Sequence, residues 1–223
     1  MIIASLYNCP FDSQLAHDMS ASIIKDGYIY AYEEEKFTTT KNESTVKFPE
    51  RSLMMGCKEL NIIPSQVDEW VLPTPYKKIP IEDYYQFFAE LIKAFCDIQE
   101  NFEVWFKEHV YFVDHHQSHA GLAVLASPFK ECAYITKDGG GDLGDPRGFT
   151  FGEFKNNEFN LIKSRLSYDN LSVFHDYLTD ATGFGYFENG KTSGLAAYGE
   201  IKPKLSEKFR EVLTIIDDGI NFI

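Results

Sequence analysis

The 223-residue sequence has only four cysteines, Cys9, Cys57, Cys96 and Cys132, and they form neither a CxxC pair nor a cysteine–histidine spacing of the zinc-finger kind. That excludes a disulfide-stapled miniprotein and a zinc ribbon, and the cysteines read as reduced thiols. Basic charge is scarce too: 21 Lys and Arg stand against 34 Asp and Glu, a net charge of −13. Such an excess repels phosphate backbones and anionic lipid, so no nucleic-acid partner is expected. No apolar run is long enough to cross a bilayer, and the opening MIIASLYNCP lacks the basic region and cleavage site of a secretion signal. The expectation is a cytoplasmic protein without a membrane partner.

What is present suits an ordinary globular chain, long enough to bury a core without staples. Alternation predicts strands over 2–8, 20–25 and 28–33, with Asp26-Gly27 as a two-residue hairpin turn. Helical spacing follows over 50–61, strand character over 67–72, a long amphipathic helix over 81–98 and a short strand over 109–113. A second strand series starts at 132–136 and continues at 148–154 and 159–163, around a turn at Lys155-Asn156-Asn157. Helices are expected over 174–182 and 205–216. This order predicts an α/β fold, a mixed sheet with flanking helices, in two related lobes over 1–130 and 131–223, the second one incomplete.

Five segments stand out. In Asp114-His115-His116-Gln117-Ser118-His119, after a strand and opening a helix, His115 and His119 lie one turn apart and can reach one metal ion. A zincin would need Glu where His116 stands, so the peptidase reading loses its general base. The loop 138–145 fits GxGxxG in letters but runs into a strand rather than a helix, which rejects a Rossmann site. It reads instead as a hairpin whose Gly139, Gly140 and Gly141 let backbone N–H groups approach a phosphate, with Asp138 and Asp142 available to a metal. His17 can transfer a proton near neutrality, and Asp18 is placed to orient a substrate. The stretch from Gly185 to Thr192 matches a P-loop in letters, but a helix precedes it and its residues are bulky; Lys191 remains a candidate for an anion. The run Glu33-Glu34-Glu35-Lys36 reads as a solvated charged face.

Taken in order, these segments resemble the O-carbamoyltransferase family of antibiotic and nodulation-factor biosynthesis. The family pattern HDxSA with a DG hairpin is met by His17 to Ala21 and Asp26-Gly27, and EEERFTRxKH by Glu33 to Asn42. HHxSHA, SPF, DGxG and GKxxGLAxYG are met by His115 to Ala120, Ser127 to Phe129, Asp138 to Gly141 and Gly190 to Gly199. The resemblance implies an RNase H-like fold, as in actin, sugar kinases and the Hsp70 ATPases. It also implies carbamoyl transfer from a carbamoyl adenylate, made from ATP and carbamoyl phosphate, to the hydroxyl of a small-molecule alcohol acceptor. By the same analogy His115, His119 and Asp138 are ligands of iron or another divalent ion (Mg, Mn or Zn), and His17 is the base. Lys41 and Lys191 face anionic parts of the donor.

The sequence departs from the pattern at Lys36, Thr39 and Asn42, which replace Arg, Arg and His, and at Ser193 and Ala197, which replace Met and Pro. Thr39 removes a planar bidentate donor. The family's remaining second-lobe strands and its adenylate-forming domain have no counterpart here. The expectation is therefore an N-terminal part that is inactive alone and works with a complementary C-terminal polypeptide or by self-association. The competing reading is a catalytically silent nucleotide- or metal-binding module of the same fold.

Overall fold

Alternation along the first strands decides which face is buried. The computed structural model describes residues 1–7, 18–41, 43, 48–73, 92–96, 98, 101–141, 145–166, 171–185, 188–216 and 219–222. Strand β1 (Ile2–Tyr7) turns Ala4 and Leu6 inward, and β2 (Ser20–Lys25) does the same with Ala21 and Ile23. The two pair antiparallel with Ala4 opposite Ile23 and Leu6 opposite Ala21, so four apolar side chains share one face. β3 (Tyr28–Glu33) follows across Asp26-Gly27, whose φ values of 52° and 82° are the left-handed pair a type I′ turn demands.

β4 (Glu69–Pro73) then lies parallel to β1, and β5 (Val110–Val113) parallel to β4, giving the order β3-β2-β1-β4-β5. Only β2 runs against the other four. A five-stranded mixed sheet in this order is the RNase H-like arrangement expected from the sequence.

Helix α1 is the short turn Glu35–Thr38, and α2 (Glu50–Leu60) lays Leu53 and Cys57 on the inward face of the sheet. Gly56 allows this approach, because a Cβ there would come within 2.9 Å of the Ile23 side chain. Trp70 and Leu72 of β4 are fully buried in the same cluster. Of the helix expected over 81–98, residues 92–96 are described and helical, and they contribute Ile92 and Cys96 to this core. Burial, with the neighbouring Cys57, pushes the Cys96 thiol up to about 12, which leaves it protonated and inert.

Helix α3 (Phe102–His109) was not anticipated. The Asn101 side chain starts it by accepting from the Glu103 N–H at 3.0 Å, a cap hidden in what reads as a loop. The charged run also differs from the solvated face expected of it. Glu34 is buried, and its carboxylate accepts from the Ser52 hydroxyl at 2.6 Å, the Ser52 N–H at 2.9 Å and the Arg51 N–H at 3.2 Å. These backbone donors belong to the open first turn of α2, where Pro49 at the cap position brings no side-chain oxygen. A remote carboxylate does the capping instead.

Contacts divide the described residues into two units, with the boundary between His115 and His116. The second unit contains α4 (His115–Leu125) from its second residue onward, then β6 (Cys132–Lys137), β7 (Arg147–Lys155) and β8 (Glu158–Leu166) in an antiparallel three-stranded sheet. Asn156 and Asn157 turn β7 into β8 with φ of 53° and 61°. Tyr134 of β6 stands opposite Gly152 of β7, where a Cβ would come within 2.4 Å of the tyrosine ring. Ala120 and Val124 of α4 pack with Tyr134 and Phe154.

Three helices follow, α5 (Leu171–Ala181), α6 (Asn189–Ala196) and α7 (Pro203–Val212). The helix expected over 205–216 stops at Val212. Leu213–Ile216 becomes β9 and pairs antiparallel with β10 (Gly219–Phe222), as three β-branched residues in a row favour. Among the described residues no helix is long and apolar enough to cross a membrane.

Glu34→Ala should lower stability by about 2 kcal/mol, the scale of hydrogen bonds to a buried charged acceptor, and Glu34→Gln by less. Both tryptophans, Trp70 and Trp105, lie in the first unit, so urea unfolding followed by their fluorescence reads this unit directly. A loss below about 0.5 kcal/mol for the alanine variant would show that the carboxylate does not cap α2.

Candidate metal centre

An α-helix repeats every 3.6 residues, so His115 and His119 at the start of α4 project from one side. β6 ends at Lys137, and Asp138 follows, bringing the third group to the same place. One nitrogen from each histidine and one Asp138 oxygen all lie within 4.8 Å of one another. Ligand atoms about 2 Å from a common ion sit roughly 3–4 Å apart, so small rotamer changes close the set. His119 Nε2 already lies 2.9 Å from Asp138 Oδ2, while the Gly139 N–H donates to Oδ1 at 2.6 Å. The carboxylate is thus aimed from both sides. His115 and Asp138 are half-buried and His119 is exposed, a degree of access that leaves room for further ligands.

The glycine run after Asp138 joins two antiparallel strands, with Lys137 opposite Phe149, so the hairpin reading holds and the Rossmann reading fails on topology. Its glycines do different work. The Gly141 N–H donates to the Asp145 carbonyl at 2.9 Å, and a Cβ on Gly141 would come within 2.6 Å of the Asp145 carboxylate. That carboxylate is buried and held by Arg147, whose Nε donates to both oxygens, at 3.0 and 2.8 Å. A Cβ on Gly140 would come within 3.3 Å of the Asp145 carbonyl oxygen, whereas a Cβ on Gly139 would meet open space. Asp142 lies outside the described residues.

His116, between the two candidate ligands, points inward. It is buried, with Nδ1 2.9 Å from the Thr136 hydroxyl and Nε2 2.7 Å from the Arg147 carbonyl. Thr136 in turn stands opposite Thr150, with 2.6 Å between the hydroxyl oxygens. In the sequence His116 is only the residue standing where a zincin would have Glu, with no sign of this tether. The available signal was the alternation on β6 and β7, which turns Thr136 and Thr150 to the buried face.

The remaining described candidates sit on other elements. His17 lies outside the described residues. Asp18 is an exposed residue with φ of 56° just before β2, and Lys41 is exposed in a turn after α1. Lys191 sits in the first turn of α6, its ammonium paired with Glu188 and 5.9 Å from the centre of the Phe184 ring. Helix α5, not a strand, precedes this segment, which removes the P-loop reading. On the first sheet, the face away from the core bears an open groove of about 510 Å³. Ser5, Tyr7, Ser20, Ser22, Glu33 and Lys36 are among its lining residues.

A profile of the family described as carbamoyltransferase N-terminus matches residues 76–220, well over half of the chain, and the chain belongs to that family. It is 26% identical to the nodulation protein NolNO of Sinorhizobium fredii, over 91% of this chain and 31% of that protein. Uncharacterized proteins of Synechocystis and Methanocaldococcus jannaschii are 27% and 30% identical, over 83% and 82% of this chain and 34% and 32% of theirs. The chain thus spans about a third of the length of the curated relatives it matches. Among solved structures, YeaZ from Pseudomonas aeruginosa aligns with a TM-score of 0.43 at 10% identity, covering 74% of this chain and 66% of that one. A second protein similar to YeaZ aligns at 0.42 and 11%, covering 73% and 64%.

The unequal packing of the glycines makes a prediction. Gly141→Ala should destabilise the second unit by about 1–3 kcal/mol, as overpacking typically does, because the Asp145–Arg147 pair has to shift. Gly139→Ala should be nearly neutral in stability. Thermal unfolding that ranks the two the other way round would contradict this division of labour.

Proposed function

We propose that this chain is the N-terminal part of an enzyme that transfers a carbamoyl group from carbamoyl adenylate to a hydroxyl of a small-molecule acceptor. A divalent cation at His115, His119 and Asp138 assists. The observation that carries this reading is the convergence of those three side chains within 4.8 Å in a chain of the carbamoyltransferase family. Iron suits two imidazoles and a carboxylate, and Mg, Mn or Zn are the alternatives. When bound, the cation supplies positive charge next to the donor phosphate, offsetting the negative charge of the leaving nucleotide.

The chain's own residues do the rest. His115 and His119 hold their nitrogens on one side of α4, and Asp138 is aimed by the Gly139 N–H. The loop of Gly139, Gly140 and Gly141 offers a phosphate oxygen its approach on the open side of Gly139; the Gly139 and Gly141 N–H groups, which donate to Asp138 Oδ1 and the Asp145 carbonyl, would share their protons with it. His17 takes the proton of the acceptor hydroxyl as its oxygen bonds to the carbamoyl carbon, while the bond from that carbon to the phosphate oxygen breaks and AMP departs. Asp18 orients the acceptor. The groove on the first sheet begins two residues further on, at Ser20, and its hydroxyls suit a polyhydroxylated molecule. Lys191 reaches an anion by exchanging Glu188 for it, and Lys41, exposed, is available to another.

Because the relatives are about three times as long, ATP and carbamoyl phosphate chemistry belongs to a complementary C-terminal polypeptide, or the site is completed by self-association. Two lobes, divided at the start of α4 and not at the 130–131 boundary expected from the sequence, are the unit of this assembly, placed in the cytoplasm with no nucleic acid or membrane partner. The competing reading, a silent nucleotide- or metal-binding module, is favoured by Thr39, where the family pattern has an arginine.

Two measurements test this. His119→Ala should abolish stoichiometric Fe(II) or Co(II) binding without unfolding the chain, by elemental analysis and circular dichroism. Retained metal would remove His119 as a ligand. Mixing the chain with the C-terminal region of a relative, ATP, carbamoyl phosphate, Fe(II) and an aminoglycoside or oligosaccharide panel should yield carbamoylated product. Metal binding without product in any pairing would favour the silent module.

A further inference from the structure

We propose that His116 is the positioning residue of this centre: tied at both ring nitrogens, it sets the rotation of α4 that turns His115 and His119 toward Asp138. The inference rests on the reading of those three residues as a cation site, and it assigns the middle histidine a function that neither the family match nor the ligand set contains.

Chemistry fixes the direction of one of these hydrogen bonds, and a neutral ring sets the others. A carbonyl only accepts, so Nε2, 2.7 Å from the Arg147 oxygen, carries the proton. In the neutral ring Nδ1 is then an acceptor, and the Thr136 hydroxyl donates to it across 2.9 Å. Thr136 has one proton to give, so Thr150 is the donor in the 2.6 Å contact between the two hydroxyls. The chain of donation runs from Thr150 through Thr136 and the ring to the Arg147 carbonyl. Every member belongs to the second unit, and His116 and both threonines are buried.

This chain reaches each part of the centre. Thr136 lies two residues before Asp138 and so fixes α4 against the strand that delivers the third ligand. Arg147 holds the Asp145 carboxylate, and the Asp145 carbonyl accepts from Gly141, so the glycine loop hangs from the same framework. The geometry requires such a device. Ring nitrogens about 6 Å from the axis of a helix move roughly 2 Å for a 20° rotation. Metal–ligand distances tolerate about 0.2 Å. Ala120 and Val124, the apolar contacts of α4, resist its departure from the sheet but are smooth to small rotations. A planar ring bonded at opposite edges to two strands is not.

The test leaves His116 in place and changes its partner. Thr136→Ser keeps the hydroxyl, and Thr136→Val removes it at nearly the same volume. In the full chain, Thr136→Ser should bind Co(II) as the parent does, while Thr136→Val should bind at least about tenfold more weakly with unchanged stoichiometry, the usual scale for loss of a group that orients a ligand. In the cation-free protein, ¹⁵N spectra of the rings should show a protonated Nε2 on His116. The His119 Nε2 signal, set by its contact with Asp138, should move in Thr136→Val and stay in Thr136→Ser. Parent-like Co(II) affinity in Thr136→Val with an unmoved His119 signal overturns the positioning role and leaves the cation site standing. If the parent binds no Co(II), the cation reading falls, and the His119 signal alone decides: moved in Thr136→Val, it upholds the positioning of His119 on Asp138; unmoved, it overturns that as well.

Discussion

A buried imidazole has to satisfy two nitrogens, and His116 can do so only where a hydroxyl and a carbonyl on neighbouring strands stand on opposite sides of it. That requirement locates α4. Leaving either nitrogen unpaired inside the second unit would cost about 1–3 kcal/mol, comparable to the gain from burying one apolar side chain of the same helix. Polar satisfaction therefore decides the helix rotation, while Ala120 and Val124 decide only that the helix lies on the sheet. The three histidines that look like a single cluster in the sequence are divided by this constraint, one inward and two toward Asp138.

What could be read from the sequence was what depends on near neighbours. Both two-residue turns, Asp26-Gly27 and Asn156-Asn157, follow from residues that tolerate positive φ, and the strand faces follow from alternation. The His115–His119 pair follows from the helical period alone. The features that escaped depend on partners distant in sequence. Glu34 looks like one of a run of solvated carboxylates until Ser52, 18 residues on, presents its hydroxyl and N–H. His116 looks like a spacer between two ligands until Thr136 and Arg147, 20 and 31 residues on, engage its ring. Burial of a polar residue is invisible to a local pattern, because what makes it tolerable is elsewhere.

The glycine loop shows the same separation of roles at smaller scale. A two-residue hairpin turn needs no run of three glycines, and here two of them are accounted for by packing: Gly140 against the Asp145 carbonyl, and Gly141 against a carboxylate that Arg147 holds in place. Gly139 has no such neighbour. Space left open beside a backbone N–H that orients the Asp138 carboxylate is what a ligand approaching the same carboxylate would use.

The charge balance of the loop gives the last step. A carboxylate next to amides that would receive a phosphate repels that phosphate, by about 1 kcal/mol at 4 Å in water and more where water is excluded. In a chain already at −13 no general attraction for anions offsets this. Asp138 is consistent with a phosphate-facing loop only if a cation stands between the two, and the two imidazoles that could share it are already turned toward the carboxylate. The active reading and a silent module that binds nucleotide make the same demand here. They part at the proton acceptor: turnover requires a base at His17, whereas a module that only binds requires nothing there.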